Sequence, residues 1–182
     1  MTLEAEYEQP EQIQWEGRFI AAKTRGRWEY VTRTRDIKAA VILAIDEAGQ
    51  VILVDQFRIP LGKRCLELPA GLIGDDDGGE GEAAVVAAAR ELEEETGYRA
   101  GRMEEIGEFY SSPGMVSEAF TLFRAHDLSR VSEGGGTEGE GITVRHVPLA
   151  EIADFIAARR AEGYGIDTRM LMLLGPGLLA GL

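Results

Sequence analysis

Near the end of an alanine-rich stretch the chain gathers the residues best suited to chemistry. Glu82 opens the stretch, and Arg90, Glu91, Leu92, Glu93, Glu94, Glu95 and Gly97 close it. On a helix Glu91 and Glu95 are one turn apart and share a face, with Glu94 one position round. Like charges at that spacing repel, so a helix that served only the fold would gain nothing from them. Hard carboxylate oxygens a few ångströms apart are what Mg²⁺ or Mn²⁺ requires, above all when a substrate phosphate completes the coordination. The competing reading is a solvated acidic helix face, the usual fate of a charge run.

The elements that must hold these residues read as mixed α and β. Strands are expected over Arg18–Lys23 and Arg27–Thr34, joined in a hairpin around Gly26. Ala39–Asp46 and Gln50–Phe57 are apolar runs rich in Val and Ile, and the break at Glu47, Ala48 and Gly49 predicts a second hairpin. A short strand is expected at Cys65–Leu68, then an exposed Asp- and Gly-rich loop over 74–81, then the helix, ended by Gly97. Glu105–Tyr110, Phe120–Ala125 and Ile142–Val147 are further strands, and helices are expected at Pro148–Glu162 and Asp167–Leu174. The class is α+β, a mixed sheet flanked by helices.

Composition agrees with a compact enzyme. The 182 residues can bury one full core. A net charge of −13 argues against a nucleic-acid partner and makes bound divalent metal the natural means of accepting an anionic substrate. Cys65 is the single cysteine, so no internal disulfide forms and a reducing compartment is expected. The acidic start has no signal-peptide pattern, and no apolar stretch is long enough to span a bilayer. A cytoplasmic protein without a membrane partner is expected.

The acidic stretch resembles the signature of the Nudix hydrolases, with Glu82, Arg90, Glu91, Leu92, Glu94, Glu95 and Gly97 on its fixed positions. The departure lies upstream. Gly71 looks like the opening glycine, but Glu82 follows it by eleven residues, about five more than the family spacing, which leaves Glu80 as a rival for the place of Glu82. Flanking segments are similar to the ADP-ribose and ADP-sugar pyrophosphatases: Val54–Pro60 with its Gln56, Phe57 and Arg58; Cys65–Gly71; and Ser111–Gly114, whose Pro113 lies sixteen residues after Gly97.

The resemblance implies a Nudix fold, with an N-terminal β-hairpin arm over residues 1–36 and a hydrolase domain over 37–182. It implies metal-dependent hydrolysis of ADP-ribose or a related ADP-sugar to AMP and a sugar phosphate. Another nucleoside diphosphate sugar, such as GDP-mannose, is the alternative substrate, and an inactive nucleotide-sensing module the alternative class. Glu91 and Glu95 would be metal ligands, with Glu94, Glu140 and the carbonyl of Ala70 completing the site, while Arg90 pairs with Glu82 to fix the loop on the helix. Trp28 and Phe19 would sandwich the base, with Trp15 a less well-placed competitor for Phe19; Glu29, Arg33, Arg58 and Glu67 would contact substrate. The two aromatics come partly from opposite subunits in the family, which implies a homodimer that exchanges its arms. Glu138, in the Gly- and Glu-rich segment before Ile142, takes the place of the general base, with Glu118 and Glu140 as substitutes. His126, His146, Cys65 and the run Gly134, Gly135, Gly136 carry no metal, thiol or phosphate-loop signature.

Overall fold

The computed structural model describes residues 2–34, 37–74 and 81–179. In chain order the elements are α1 (Leu3–Tyr7), β1 (Gln12–Glu16), β2 (Ile20–Arg25), β3 (Trp28–Arg33), β4 (Ala39–Ala44), β5 (Gln50–Arg58), β6 (Lys63–Glu67), β7 (Ala70–Leu72), α2 (Ala84–Thr96), β8 (Tyr98–Tyr110), β9 (Ala119–Arg130), β10 (Thr143–Pro148), α3 (Ile152–Ala161), β11 (Gly165–Ile166) and α4 (Leu171–Leu179). The strands form three sheets, ordered β1-β2-β3, β10-β5-β6-β11 and β7-β4-β9-β8. The two larger sheets are mixed, since β4 runs parallel to β9 and β6 parallel to β11.

β4 and β5 are continuous apolar runs because both of their faces are covered. Side-chain alternation divides them between two cores. Ala40, Ile42, Ala44 and Ile52 join Ala88 and Leu92 of α2 and Phe123 of β9. Val41, Val51 and Leu53 turn the other way and pack with Leu66, Leu68, Ile152, Ile156 and Met170, toward α3. The sheets therefore lie between α2 and α3, and the expected α+β class is the observed one.

The expected hairpin of β4 and β5 is corrected. The turn at Gly49 forms, with Asp46 N–H donating to Gln50 O, but only the bridge Ile45–Val51 links the two arms. β4 then pairs with β7 and β9, and β5 with β6 and β10. A strand apolar on both faces gives no local sign of its neighbours, so proximity in sequence was a poor guide. The N-terminal arm is also larger than a hairpin: β1 adds a third strand, antiparallel to β2. Its alternation was hidden because all five of its residues are exposed. The hairpin that was expected, β2 with β3, turns at Gly26 and Arg27. Most of the inserted loop, Glu80 included, lies outside the described residues.

Candidate functional site

α2 sorts its glutamates by direction. Ala87, Ala88, Leu92, Glu95 and Thr96 face inward. Glu93 points out and holds Arg99 through two contacts of 2.9 Å. Glu95 is buried, and its Oε2 accepts the backbone N–H of Ala70 at 2.9 Å. Glu91 lies across Gly71, where an added Cβ would stand 1.8 Å from its Cδ. A side chain at that position would push the Glu91 carboxylate out of its place. Glu94, at the rim, accepts from Arg90 Nη1 at 3.2 Å. Arg90 also donates to Glu91 at 3.0 Å and to both oxygens of Glu82 at 3.5 Å, while Glu82 accepts the N–H of Gly74 at 3.3 Å. The arginine thus fastens the strand-to-helix loop to the acidic face.

The end of α2 receives the acidic loop. Gly97 caps the helix in the left-handed region, φ 76°, and its carbonyl accepts the N–H of Val131 at 2.8 Å. Gly135 N–H donates to Glu95 O at 2.8 Å and Gly136 N–H to Glu94 O at 3.0 Å. These bonds satisfy carbonyls that a helix end leaves without partners. They are the work of the glycine run, whose backbone cradles a helix terminus. The docking brings Glu140 close enough to act electrostatically on Glu91 and Glu95. Glu140 Oε2 accepts Thr137 N–H at 2.6 Å. Glu138 is exposed and makes no hydrogen bond or ion pair with the described residues.

Charge is poorly compensated here. Burial, with Glu91 and Glu140 nearby, pushes the Glu95 carboxyl up to about 8, against the Ala70 hydrogen bond that favours its ionised form. Burial likewise raises Glu91, helped by Glu94 and Glu140 and opposed by Arg90.

Beside this face opens a cavity of about 500 Å³, lined among others by Arg33, Arg58, Glu67, Ala70, Gly71 and Glu118. Arg33 holds Glu118 through Nε at 2.6 Å. Arg58 grips buried Glu67 with two bonds, 2.6 and 2.8 Å, and this contact raises its pKa further. Cys65 also lines the cavity, but burial and the neighbouring Glu67 push its thiol up to about 12, which removes any nucleophilic role at neutral pH. Sequence reasoning missed Asp167 and Arg169 on the same wall. Their only local signal was Asp167 as the cap of the last helical segment.

The base-binding candidates do not gather in this cavity. Trp28 lines a separate space of about 480 Å³ with Tyr7, Arg25, Tyr30 and Pro113. Strand register pairs Arg25 with Trp28 and Ile20 with Arg33, so Phe19 and Trp28 sit at opposite ends of the β2–β3 hairpin. Phe19 is exposed beneath the Arg18 guanidinium, beside the end that carries Arg33. Trp15 is exposed and its ring covers Gly17. Glu29 is exposed and lines a third space, of about 470 Å³, with Gln14 and Met115. His146 meets Tyr98 at 3.1 Å and His126 meets Glu104 at 2.7 Å, and neither lines the cavity beside the acidic cluster.

The NUDIX domain profile matches residues 35–165. The chain belongs to the Nudix hydrolase family. It is 38% identical over 122 residues to an ADP-ribose pyrophosphatase of Bacillus subtilis (strain 168), covering 66% of this chain and 63% of that protein. It therefore spans somewhat less than two thirds of that relative's length. It is 36% identical over 165 residues to a GDP-mannose pyrophosphatase of Cronobacter sakazakii (strain ATCC BAA-894), covering 83% of this chain and 81% of the relative. The crystal structure of an ADP compounds hydrolase shares the fold, with a TM-score of 0.68 and 22% identity over 93% of this chain and 91% of that one.

Nudix hydrolases work with divalent metal ions, and this Nudix domain has suitable donors. Glu140 adds to the burial that raises Glu91 and Glu95, and Glu91 raises Glu95 further, an arrangement of carboxylates that a divalent cation would relieve. Among the described residues no three His, Cys, Asp or Glu side chains stand close enough together to hold a metal ion as they are placed. Each carboxylate is instead engaged by a partner of its own: Glu91 by Arg90, Glu95 by the Ala70 N–H and Glu140 by the Thr137 N–H. Among the described residues no helix is long and apolar enough to cross a membrane.

Proposed function

We propose that this protein hydrolyses the diphosphate of ADP-ribose or a related ADP-sugar, releasing AMP and a sugar phosphate. The observation that carries the reading is the junction at Ala70 and Gly71, where the acidic face of α2 meets a cavity walled by Arg33 and Arg58. Cations to bind a diphosphate and carboxylates to collect a metal stand on its two sides. The names of the two relatives, each a pyrophosphatase of a nucleoside diphosphate sugar, support the substrate class.

Arg58, braced by Glu67, and Arg33, braced by Glu118, bind the phosphate oxygens. Mg²⁺ or Mn²⁺, held by Glu91, Glu95, Glu140 and the Ala70 carbonyl with Glu94 at the rim, would neutralise the oxyanions that develop on the phosphates. Glu138 takes the proton from the attacking water while the bridging P–O bond breaks. Its freedom from partners and its place on a glycine-rich loop suit it to this better than Glu118, which is committed to Arg33. Glu29 borders the base. Trp28 and Phe19 stack on the base from two protomers of a homodimer, since one hairpin holds them apart. Residues 1–36 would be the exchanging arm and 37–182 the hydrolase domain, in a cytoplasmic enzyme.

A panel of nucleotide sugars with Mg²⁺ and with Mn²⁺, products identified by mass, tests the reading. AMP and ribose 5-phosphate from ADP-ribose at the highest kcat/KM are expected. Preference for GDP-mannose would move the specificity to the other relative's substrate, and no turnover of any member would overturn the activity.

A further inference from the structure

The family match ends at residue 165, yet the cavity is completed by residues beyond it. β11 lies parallel to β6, pairing Gly165 with Cys65 and Ile166 with Leu66. Asp167 N–H then donates to Leu66 O at 3.1 Å, which sets the next residues beside Glu67. Arg169 is bound there on one edge only. Its Nε and Nη2 donate to the two oxygens of Asp167 at 2.6 Å each, and Nη2 reaches Glu67 Oε2 at 3.3 Å. Burial opposes its charge, but Asp167 more than compensates and holds the guanidinium's pKa up. The ring of Phe120 lies 5.7 Å from the same guanidinium.

Arg33, Arg58 and Arg169 share this geometry. Each lines the cavity, and each is gripped by a carboxylate through Nε and Nη2. No hydrogen bond to a described residue engages Nη1 in any of the three. A guanidinium fixed along one edge keeps its charge and direction but spends its remaining donors on whatever enters. Three of them in one cavity fit a ligand with several anionic oxygens. A purely structural Arg169 would need no opening onto the cavity, and Asp167 alone would satisfy it.

We propose that Arg169 is a substrate-binding residue, supplied from outside the shared family domain, that contacts the diphosphate together with Arg58. Asp167 is its positioning residue, and Glu67 sets the spacing of the two guanidiniums. The inference rests on the proposed function for the substrate class, but its test does not depend on turnover.

Calorimetric titration of the intact protein with inorganic pyrophosphate in EDTA reads the site directly. Wild type is expected to bind, and Arg169→Met to weaken binding roughly 10- to 100-fold, the loss of a charged hydrogen-bonding partner. Arg169→Lys, which keeps the charge without the fork, should fall between the two. Asp167→Asn should weaken binding less than Arg169→Met, because the cation remains but is less well aimed. Circular dichroism checks the fold, and if Arg169→Met fails to fold, the Lys variant carries the test. Unchanged affinity in a folded Arg169 variant, or no binding by wild type, would overturn the assignment. Binding without hydrolysis of any nucleotide sugar would instead count against the proposed function and leave this site standing.

Discussion

At the scale of single residues, Glu95 links the acidic cluster to stability. Its carboxyl is raised from 4.5 to about 8 by burial and by Glu91 and Glu140. Between those values the folded chain holds a proton that the unfolded chain has released, so stability falls as pH rises from about 4.5 to 8. In EDTA the melting temperature of the wild type should therefore decline over that interval more steeply than that of Glu95→Gln, and the mutant should be the more stable at pH 8. Added Mg²⁺ should restore the wild type alone. Parallel pH profiles would show that Glu95 is not strained. The same mutant should lose activity roughly 100- to 1,000-fold. Glu138→Gln should act differently, lowering kcat roughly 10²- to 10⁴-fold with KM nearly constant, since a base acts only in the reaction step. Normal turnover by Glu138→Gln, with loss in Glu140→Gln or Glu118→Gln, would transfer the role to whichever residue fails.

Elements explain which parts of the site could be read in advance. Glu91, Glu94, Glu95 and Arg90 were legible because a helix turns sequence spacing directly into spatial order. Gly97 was legible for the same reason, as the cap that ends it. The loop after β9 was recognisable as glycine-rich, but its seat was not, because a helix terminus accepts any backbone N–H. Here sterics add the specificity. Gly134 has φ 67°, and a Cβ on it would meet Thr96 C at 2.4 Å. Gly134→Ala should thus cost at least ~1–2 kcal/mol for the left-handed backbone alone and lift the loop from α2. Hydrogen exchange would detect this as lost protection at the amides of Gly135 and Gly136, with kcat falling because Glu140 and Glu138 lose their anchor. Retained protection would mean the loop does not depend on that seat. Arg169 and the pairing of β4 with β9 were illegible for a further reason. Both depend on strands that meet only in the folded sheets, and their local sequence carries no record of the meeting.

For the whole molecule, the N-terminal sheet raises the question of what covers it. Ile13, Trp15, Phe19, Ile20 and Trp28 are all at least two-fifths exposed, a concentration of apolar surface that marks interaction sites. Trp28 is level with Arg25, six residues along the strand from Phe19, a separation of roughly 20 Å at about 3.3 Å per residue. A sandwiched purine needs rings only about 7 Å apart. One chain cannot supply that sandwich; in the proposed homodimer each chain would give Trp28 to the other's Phe19 and diphosphate cavity. The arrangement has an unambiguous genetic signature. Phe19→Ala and Trp28→Ala should each raise KM for the nucleotide sugar strongly while leaving kcat near wild type, because stacking is equal in the ground and transition states. When the two mutants are unfolded together and refolded at equal concentration, half of the dimers carry one copy of each. In such a dimer one site collects both substitutions and the other collects neither. The mixture should therefore recover about a quarter of the wild-type low-KM activity, although neither mutant has any alone. If the mixture behaves as the average of its components, Phe19 and Trp28 do not meet across an interface, and the base must bind within the Trp28 cavity of a single chain.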